Sequence, residues 1–192
     1  MEGQSRPTFF RGVATVVTKL FNIVQPDYAF FGQKDIQQCL VLRRMLADLH
    51  MPHPPSPSHL RIIPTVRDFD NVALSSRNAY LSPTERQHAP VVYAALCAAQ
   101  RAIIESSDIG NPSISSAEVV EAGRRGIEDF LDSVRVSAPQ QAHIEIDYIK
   151  VNDPLTLKPL ETIRSGEAAV LSAAVKVGKT RLIDNFLVNV SM

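Results

Sequence analysis

The chain has 192 residues, 45 % of them hydrophobic and 21 % charged, with 20 basic side chains balanced by 20 acidic ones. That length holds one large domain or two small ones with an ample core. A formal net charge of zero gives no electrostatic case for a nucleic-acid or membrane partner. The longest apolar runs are strand-sized, and no signal peptide is expected at the start. Cys39 and Cys97 fit no Cys-x-x-Cys pattern; they read as reduced, buried thiols of an intracellular, cytoplasmic protein.

Glu2-Gly3-Gln4-Ser5-Arg6-Pro7 reads as a mid-domain loop. Val13, Val16, Val17, Leu20, Phe21 and Val24 then recur at helical spacing, entered through Phe10-Arg11-Gly12 and closed by Pro26. A strand over Tyr28 to Phe31 stops at Gly32, where Lys34 and Asp35 follow. Asp35 with Gln38 three residues on has the form of a capping box at the start of a second helix. That helix runs to about Leu49, with Leu42, Met45, Leu46 and Leu49 facing inward. A strand that ends in glycine and hands over to a helix offers backbone N–H groups and a positive dipole end to phosphate or carboxylate. Taken alone, Gly-x-Lys-Asp at a strand end is more often an ordinary loop. Helix, strand and helix in succession predict a parallel sheet covered by helices.

From His50 to His59 four prolines forbid regular structure, so an exposed loop is expected. Its three histidines do not amount to a zinc site, because a Pro-rich loop fixes no coordination geometry and offers no cysteine or carboxylate. No metal ligands are assigned. Leu60 to Ile63 is a short strand ended by Pro64, and Asp70-Asn71 is turn chemistry. Ser75-Ser76-Arg77-Asn78 sets two hydroxyls beside a planar guanidinium, a set suited to phosphate oxygens, though by itself the segment reads first as a surface turn with a solvated arginine.

Ser82-Pro83-Thr84-Glu85 is a helix start, with a break and restart at Pro90 and a continuation to about Ile104. Ser106 to Ser116 reads as a linker. Ser115-x-x-Glu118 caps a further helix reaching about Val134. Strands are expected at Ile144 to Ile149, Ala168 to Val175 and Leu182 to Val188. Val177-Gly178-Lys179-Thr180 is not a P-loop, since the required first glycine falls at Ala173 inside a strand and no helix follows. It reads as a turn between antiparallel strands. The fold class expected is α/β for residues 1–81, an incomplete Rossmann-like nucleotide-binding domain, followed by a small α+β domain over 82–192.

Taken together, several ordered blocks carry a resemblance. These are Glu2-Gly3-x-Ser5-Arg6-Pro7, Phe10-Arg11-Gly12-Val13, Lys19 through Asp27, Phe31-Gly32-Gln33-Lys34-Asp35-x-Gln37-Gln38, Leu74-Ser75-Ser76-Arg77-Asn78-x-Tyr80-Leu81 and Arg181-Leu182-Ile183-Asp184-Asn185. The succession closely resembles the pantoate–β-alanine ligase (pantothenate synthetase) family, over nearly the whole chain. The resemblance implies a nucleotidyl-transferase fold and a cytosolic homodimer. It implies adenylation of pantoate with ATP and Mg²⁺, then attack by β-alanine to give pantothenate, AMP and pyrophosphate. By the same resemblance Gly32 and Asp35 would contact the ribose, and Lys34 the phosphate oxygens. Gln33 would lie among the ATP-binding residues, and the backbone at Thr65 and Val66 would flank the adenine. Leu74, Ser75, Ser76 and Arg77 would form a second phosphate loop, with Lys34, Ser75, Ser76 and Arg77 catalytic. Gln38 would hydrogen-bond pantoate, and the unit after Ser82 would close over the site.

The chain departs from that family in lacking a His-x-Gly-His block and a second pantoate glutamine. Phe9 stands where the family usually has histidine, Asn71 where it has glycine, and 52–57 looks like an insertion. The expectation is a fragment of the ligase, inactive or nearly so alone. The alternative is a non-catalytic partner or regulator of a complete subunit, pairing through residues 5–50.

Overall fold

A computed structural model describes residues 8–137 and 140–190; the Glu2-Gly3-x-Ser5-Arg6-Pro7 block lies outside them. The chain forms two compact units, one ending at Thr65 and the other beginning at Val66.

In the first unit, helix α1 (Phe9–Val24) leads to strand β1 (Ala29–Gly32). Helix α2 (Ile36–Asp48) then crosses to strand β2 (Leu60–Ile63). β1 and β2 pair in parallel, Ala29 opposite Leu60 and Gly32 opposite Ile63, as a helical crossover requires. α1 begins at Phe9, so Phe10-Arg11-Gly12 lies inside the helix and does not lead into it. Gln25, in the left-handed region, closes it by donating its N–H to Phe21 O. Only Val17 and Phe21 of the apolar stripe are buried, while Val16, Leu20 and Val24 stay 56 %, 50 % and 65 % exposed. α2 packs against α1, where Thr18 Oγ1 meets Met45 Sδ at 3.3 Å.

The entry to α2 differs from the capping box expected of Asp35. A 3₁₀ turn, Gln33–Asp35, leads into the helix, and the Asp35 side chain makes no cap bond. The tighter turn meets the first helical N–H groups by backbone bonding and leaves the carboxylate outside. Leu42, Met45 and Leu46 are buried as expected, but Leu49 is 59 % exposed because it lies past the last helical residue. Arg43 fastens α2 to β2 by donating twice to Leu60 O, at 3.1 and 3.0 Å. The proline loop is not wholly exposed: Met51 and Pro54 are buried. His59 stacks on Tyr28 with ring centres 4.8 Å apart and meets Ser56 Oγ. Burial pushes the Cys39 thiol up to about 11, whereas Cys97 is only half-buried.

The second unit opens with a tight hairpin, Arg67 facing Ala73 and Asn71 supplying the positive φ of its turn. Helix α3 (Pro83–His88) carries the full Ser82/Glu85 capping box. Pro90 then caps helix α4 (Val91–Asp108), one turn longer than the sequence suggests. The expected linker contains strand β3 (Ser113–Ser115), and Ser115 caps helix α5 (Ser116–Ser137). Strand β4 (Ile144–Asn152), strand β6 (Ala169–Val177) and strand β7 (Thr180–Val188) form an antiparallel sheet with β6 in the middle. Strand β5 (Thr162–Arg164) pairs with β3.

α4 and α5 cross closely on this sheet. A Cβ at Gly126 would stand 2.5 Å from Ala98 Cβ, so glycine sets their spacing. Leu96, Val119, Leu171 and Val175 fill the core between helices and sheet. Gly178, at φ +59, makes the two-residue turn between β6 and β7, with Val177 paired to Thr180. The lysine-threonine pair there belongs to a hairpin, as the sequence indicates. The segment 66–81, read from sequence with the first domain, packs in the second unit.

Burial assigns different weights to two leucines of one stripe. Leu42→Ala is expected to destabilise the protein by about 2–5 kcal/mol, and Leu49→Ala by less than about 0.5 kcal/mol. Thermal or urea unfolding of the two variants checks the contrast.

Candidate functional site

The candidate residues fall on two loops, one in each unit. In the first, β1 delivers Gly32 to the head of the 3₁₀ turn, with φ −73° and ψ 133° that any residue adopts. A Cβ there would meet nothing within 4 Å. The glycine is not demanded by the backbone; what it leaves is open space for a close approach. Its carbonyl accepts from Cys39 Sγ, which fixes the strand end to α2. Lys34 is mostly covered, 17 % exposed, with Nζ 3.8 Å from Asp35 Oδ1. Asp35 itself is 54 % exposed. Gln33 and Gln38 are half-buried on the same turn and first helical turn. Gln37 Oε1 is buried without a hydrogen-bond partner, and so is Thr65 Oγ1 at the end of the unit. Such groups carry a desolvation cost that a ligand or water can remove.

The second loop starts from Val66 and the 67–73 hairpin. Leu74 N donates to Val66 O at 2.9 Å, closing the hairpin. Ser75 then caps a 3₁₀ turn, Ser76–Tyr80, its Oγ accepting from Arg77 N. Asn78 reaches back, its Nδ2 donating to Ala73 O at 3.1 Å. Leu74, Ser76 and Arg77 are exposed and Ser75 half-buried. Among the described residues no carboxylate pairs with the Arg77 guanidinium. A fork of N–H donors held out on a capped turn is available to an anion.

The arginines around this loop are spent differently. Arg67 grips the buried carboxylate of Asp184 on β7 with both nitrogens, Nη1–Oδ2 2.5 Å and Nη2–Oδ1 3.1 Å. Arg86 on α3 pairs with Asp68 and Asp70. That hydrogen bond from Arg86 is the main reason the Asp70 carboxyl sits below the usual carboxylate range, with the Val72 N–H adding to it. Sequence reading took Asp70 as turn chemistry alone and gave Arg67, Arg86 and Asp184 no role. The Arg-Leu-Ile-Asp-Asn block was the available signal for Asp184; its partner lies 117 residues away.

The structure thus gathers Gly32, Gln33, Lys34 and Asp35 at one 3₁₀ turn, with Gln38 on the first turn of α2, and Leu74, Ser75, Ser76 and Arg77 at another. Thr65 ends the first unit and Val66 begins the second. Among the described residues no three His, Cys, Asp or Glu side chains come together as a metal cage, and no helix is long and apolar enough to cross a membrane.

Comparison with known proteins covers nearly the whole chain. The family model described as pantoate-beta-alanine ligase matches residues 1–187. A pantothenate synthetase of Herpetosiphon aurantiacus is 43 % identical over 187 residues, 97 % of this chain and 59 % of the relative. A crystal structure of pantothenate synthetase from Thermus thermophilus matches with TM-score 0.75 and 42 % identity, over 97 % of this chain and 58 % of that one. A pantoate-beta-alanine ligase from Francisella tularensis, complexed with beta-gamma ATP and beta-alanine, matches with TM-score 0.57 and 26 % identity, covering 97 % of this chain and 53 % of that one. The chain therefore has their α/β plus α+β fold, and it spans less than two thirds of the length of these relatives.

The Asp70–Arg86 pair makes the hairpin acid-sensitive. A carboxyl depressed on folding contributes stability that is full above its unfolded value of about 3.9 and is lost as pH falls through the folded one. The helix-capping Glu85 and Glu118 and the turn-forming Asp153 are depressed in the same direction, so a global melt does not separate them. Carboxyl ¹³C NMR does: Asp70 is expected to titrate below about pH 3.9 and to return toward its ordinary value in Arg86→Ala.

Proposed function

Because the chain belongs to the pantoate–β-alanine ligase family, we propose that it serves the ATP-dependent joining of pantoate and β-alanine, each loop offering its own contacts to phosphate. The observation that carries this is the contrast among cations. Arg67 and Arg86 are used up inside the fold, while Arg77 stands beside two serine hydroxyls with no carboxylate partner among the described residues. Lys34 stands at the end of a parallel strand, where α/β folds take phosphates.

In this reading a carboxylate oxygen of pantoate attacks the α-phosphorus, the bond to the bridging oxygen breaks and pyrophosphate leaves. The amine of β-alanine then attacks the acyl carbon, and AMP departs with the bonding pair. Both steps depend on positioning and on neutralising charge that develops on phosphate oxygens. In the first unit Lys34 suits such oxygens; in the second the Arg77 fork does, and Ser75 and Ser76 donate hydroxyl hydrogens. Gly32 and Asp35 face the ribose, Gln33 lies beside the nucleotide, Thr65 and Val66 flank the adenine, and Gln38 holds pantoate. Mg²⁺ takes oxygen ligands and is carried on phosphates in such sites; bound there, it supplies further positive charge. Residues 1–81 carry the nucleotide-binding residues of this reading, and 82–192 form the small α+β domain.

Self-association and a cytoplasmic setting belong to the same reading. The open apolar side of α1, Val16, Leu20, Ile23 and Val24, suits the first. Low activity of the chain alone also belongs to it, because a two-stranded sheet is a marginal platform for a site.

Two measurements test the proposal. Titration calorimetry is expected to detect ATP binding, weakened about tenfold or more in Lys34→Ala and in Arg77→Ala, since hydrogen bonds to charged groups contribute about 1.5–3 kcal/mol. AMP release that requires both pantoate and β-alanine is expected to be slight. Absence of ATP binding at millimolar concentration removes the reading, and brisk turnover removes only its claim of low activity.

A further inference from the structure

We propose that the buried Arg67–Asp184 fork is the anchor that sets the Leu74–Arg77 loop on strand β7, making both side chains positioning residues for the phosphate grip; this rests on the reading of that loop given above. Asp184 is 3 % exposed and Arg67 18 %. The guanidinium carbon lies 4.8 Å from the Tyr93 ring centre and 5.4 Å from that of Phe186. Those two rings meet edge to face. The planar cation is therefore held by two oxygens and enclosed by two π faces, an arrangement that lysine cannot reproduce.

The anchor connects to the loop by short steps. Arg67 Nη1 also donates to Asn71 O at 3.1 Å, so the side chain fixes its own hairpin as well as β7. Asp68 N donates to Val72 O, and Arg67 faces Ala73 across the hairpin. Ala73 O in turn receives Asn78 Nδ2, and the 3₁₀ turn that follows packs on β7. The four loop residues are thus held between a charged clamp on one side and a side-chain bridge on the other. A buried ion pair is a poor source of net stability, since a well-packed apolar replacement often does as well. What it supplies is a single geometry, and here that geometry belongs to the turn carrying Arg77.

The test compares amide hydrogen exchange of the whole chain as wild type and as Asp184→Asn. Exchange over residues 67–78 is expected to quicken at least about tenfold while β6 amides keep their protection. Titration calorimetry is expected to show ATP affinity falling by about tenfold, with no substitution in the loop itself. Unchanged exchange over 67–78, or equal quickening in β6, overturns the anchor. A loosened loop with unchanged ATP affinity overturns its role in the grip. Should Asp184→Asn not fold, Arg67→Lys keeps the charge, loses the fork, and is expected to give the same local pattern. A wild-type chain that binds no ATP removes the proposed function, and the exchange ratio alone then decides the anchor.

Discussion

Two charges withdrawn from water must find each other with good geometry, and the Arg67–Asp184 pair meets that demand with two parallel hydrogen bonds under a roof of two rings. Removing Arg67 would leave the Asp184 carboxylate, 3 % exposed, without its cation, a cost larger than the pair's own net contribution. The hairpin is for that reason not free to choose its place on the sheet. Its turn residue Asn71, in left-handed backbone, is also tied by the same guanidinium. Arg86 then holds Asp68 and Asp70 from α3. One short hairpin is fixed from two elements by charge, which loop sequences seldom are.

That arrangement separates cations by duty. Arg67 and Arg86 are neutralised locally by Asp184, Asp68 and Asp70, whereas an arginine without a carboxylate keeps its field for a ligand. Among the described residues Arg77 meets this condition, on a turn whose first N–H groups are met by Ser75 and by backbone. Lys34 is a different case: mostly covered, beside an exposed Asp35, it is a point charge on a stem already packed. A fork and a point charge suit different parts of a polyphosphate, the fork a fixed pair of oxygens and the ammonium one whose position shifts.

Most of the fold was legible in the sequence because most elements are fixed locally. The Ser82–Glu85 and Ser115–Glu118 boxes, the Gly178 turn and the apolar run of β6 need no distant information. β3 and β5 escaped because each is three residues long and exists only through the other; neither has a period to detect. Leu49 obeys the helical stripe of α2 but falls past its end. Asp35 has the sequence of a cap, yet the 3₁₀ turn competes for the same backbone groups. The candidate loops were found from residue type, whereas the clamp behind them was not, since nothing local in Thr65-Val66-Arg67-Asp68 states that Arg67 seeks an acid at the far end of the chain.

The same reasoning explains why a phosphate grip would be placed on such a hairpin. Positioning catalysis fails when the donors wander by about an ångström, and exposed loops do wander. Rigidity in a surface loop has to come from beneath, through groups the ligand never touches. Apolar packing beneath a short hairpin leaves several registers close in energy, because apolar contacts lack direction. A fork on a carboxylate does not: displaced by one residue, Arg67 would lose both oxygens and leave the buried Asp184 carboxylate without its cation. Directional cost, and not added stability, is what makes a charged anchor suited to this position.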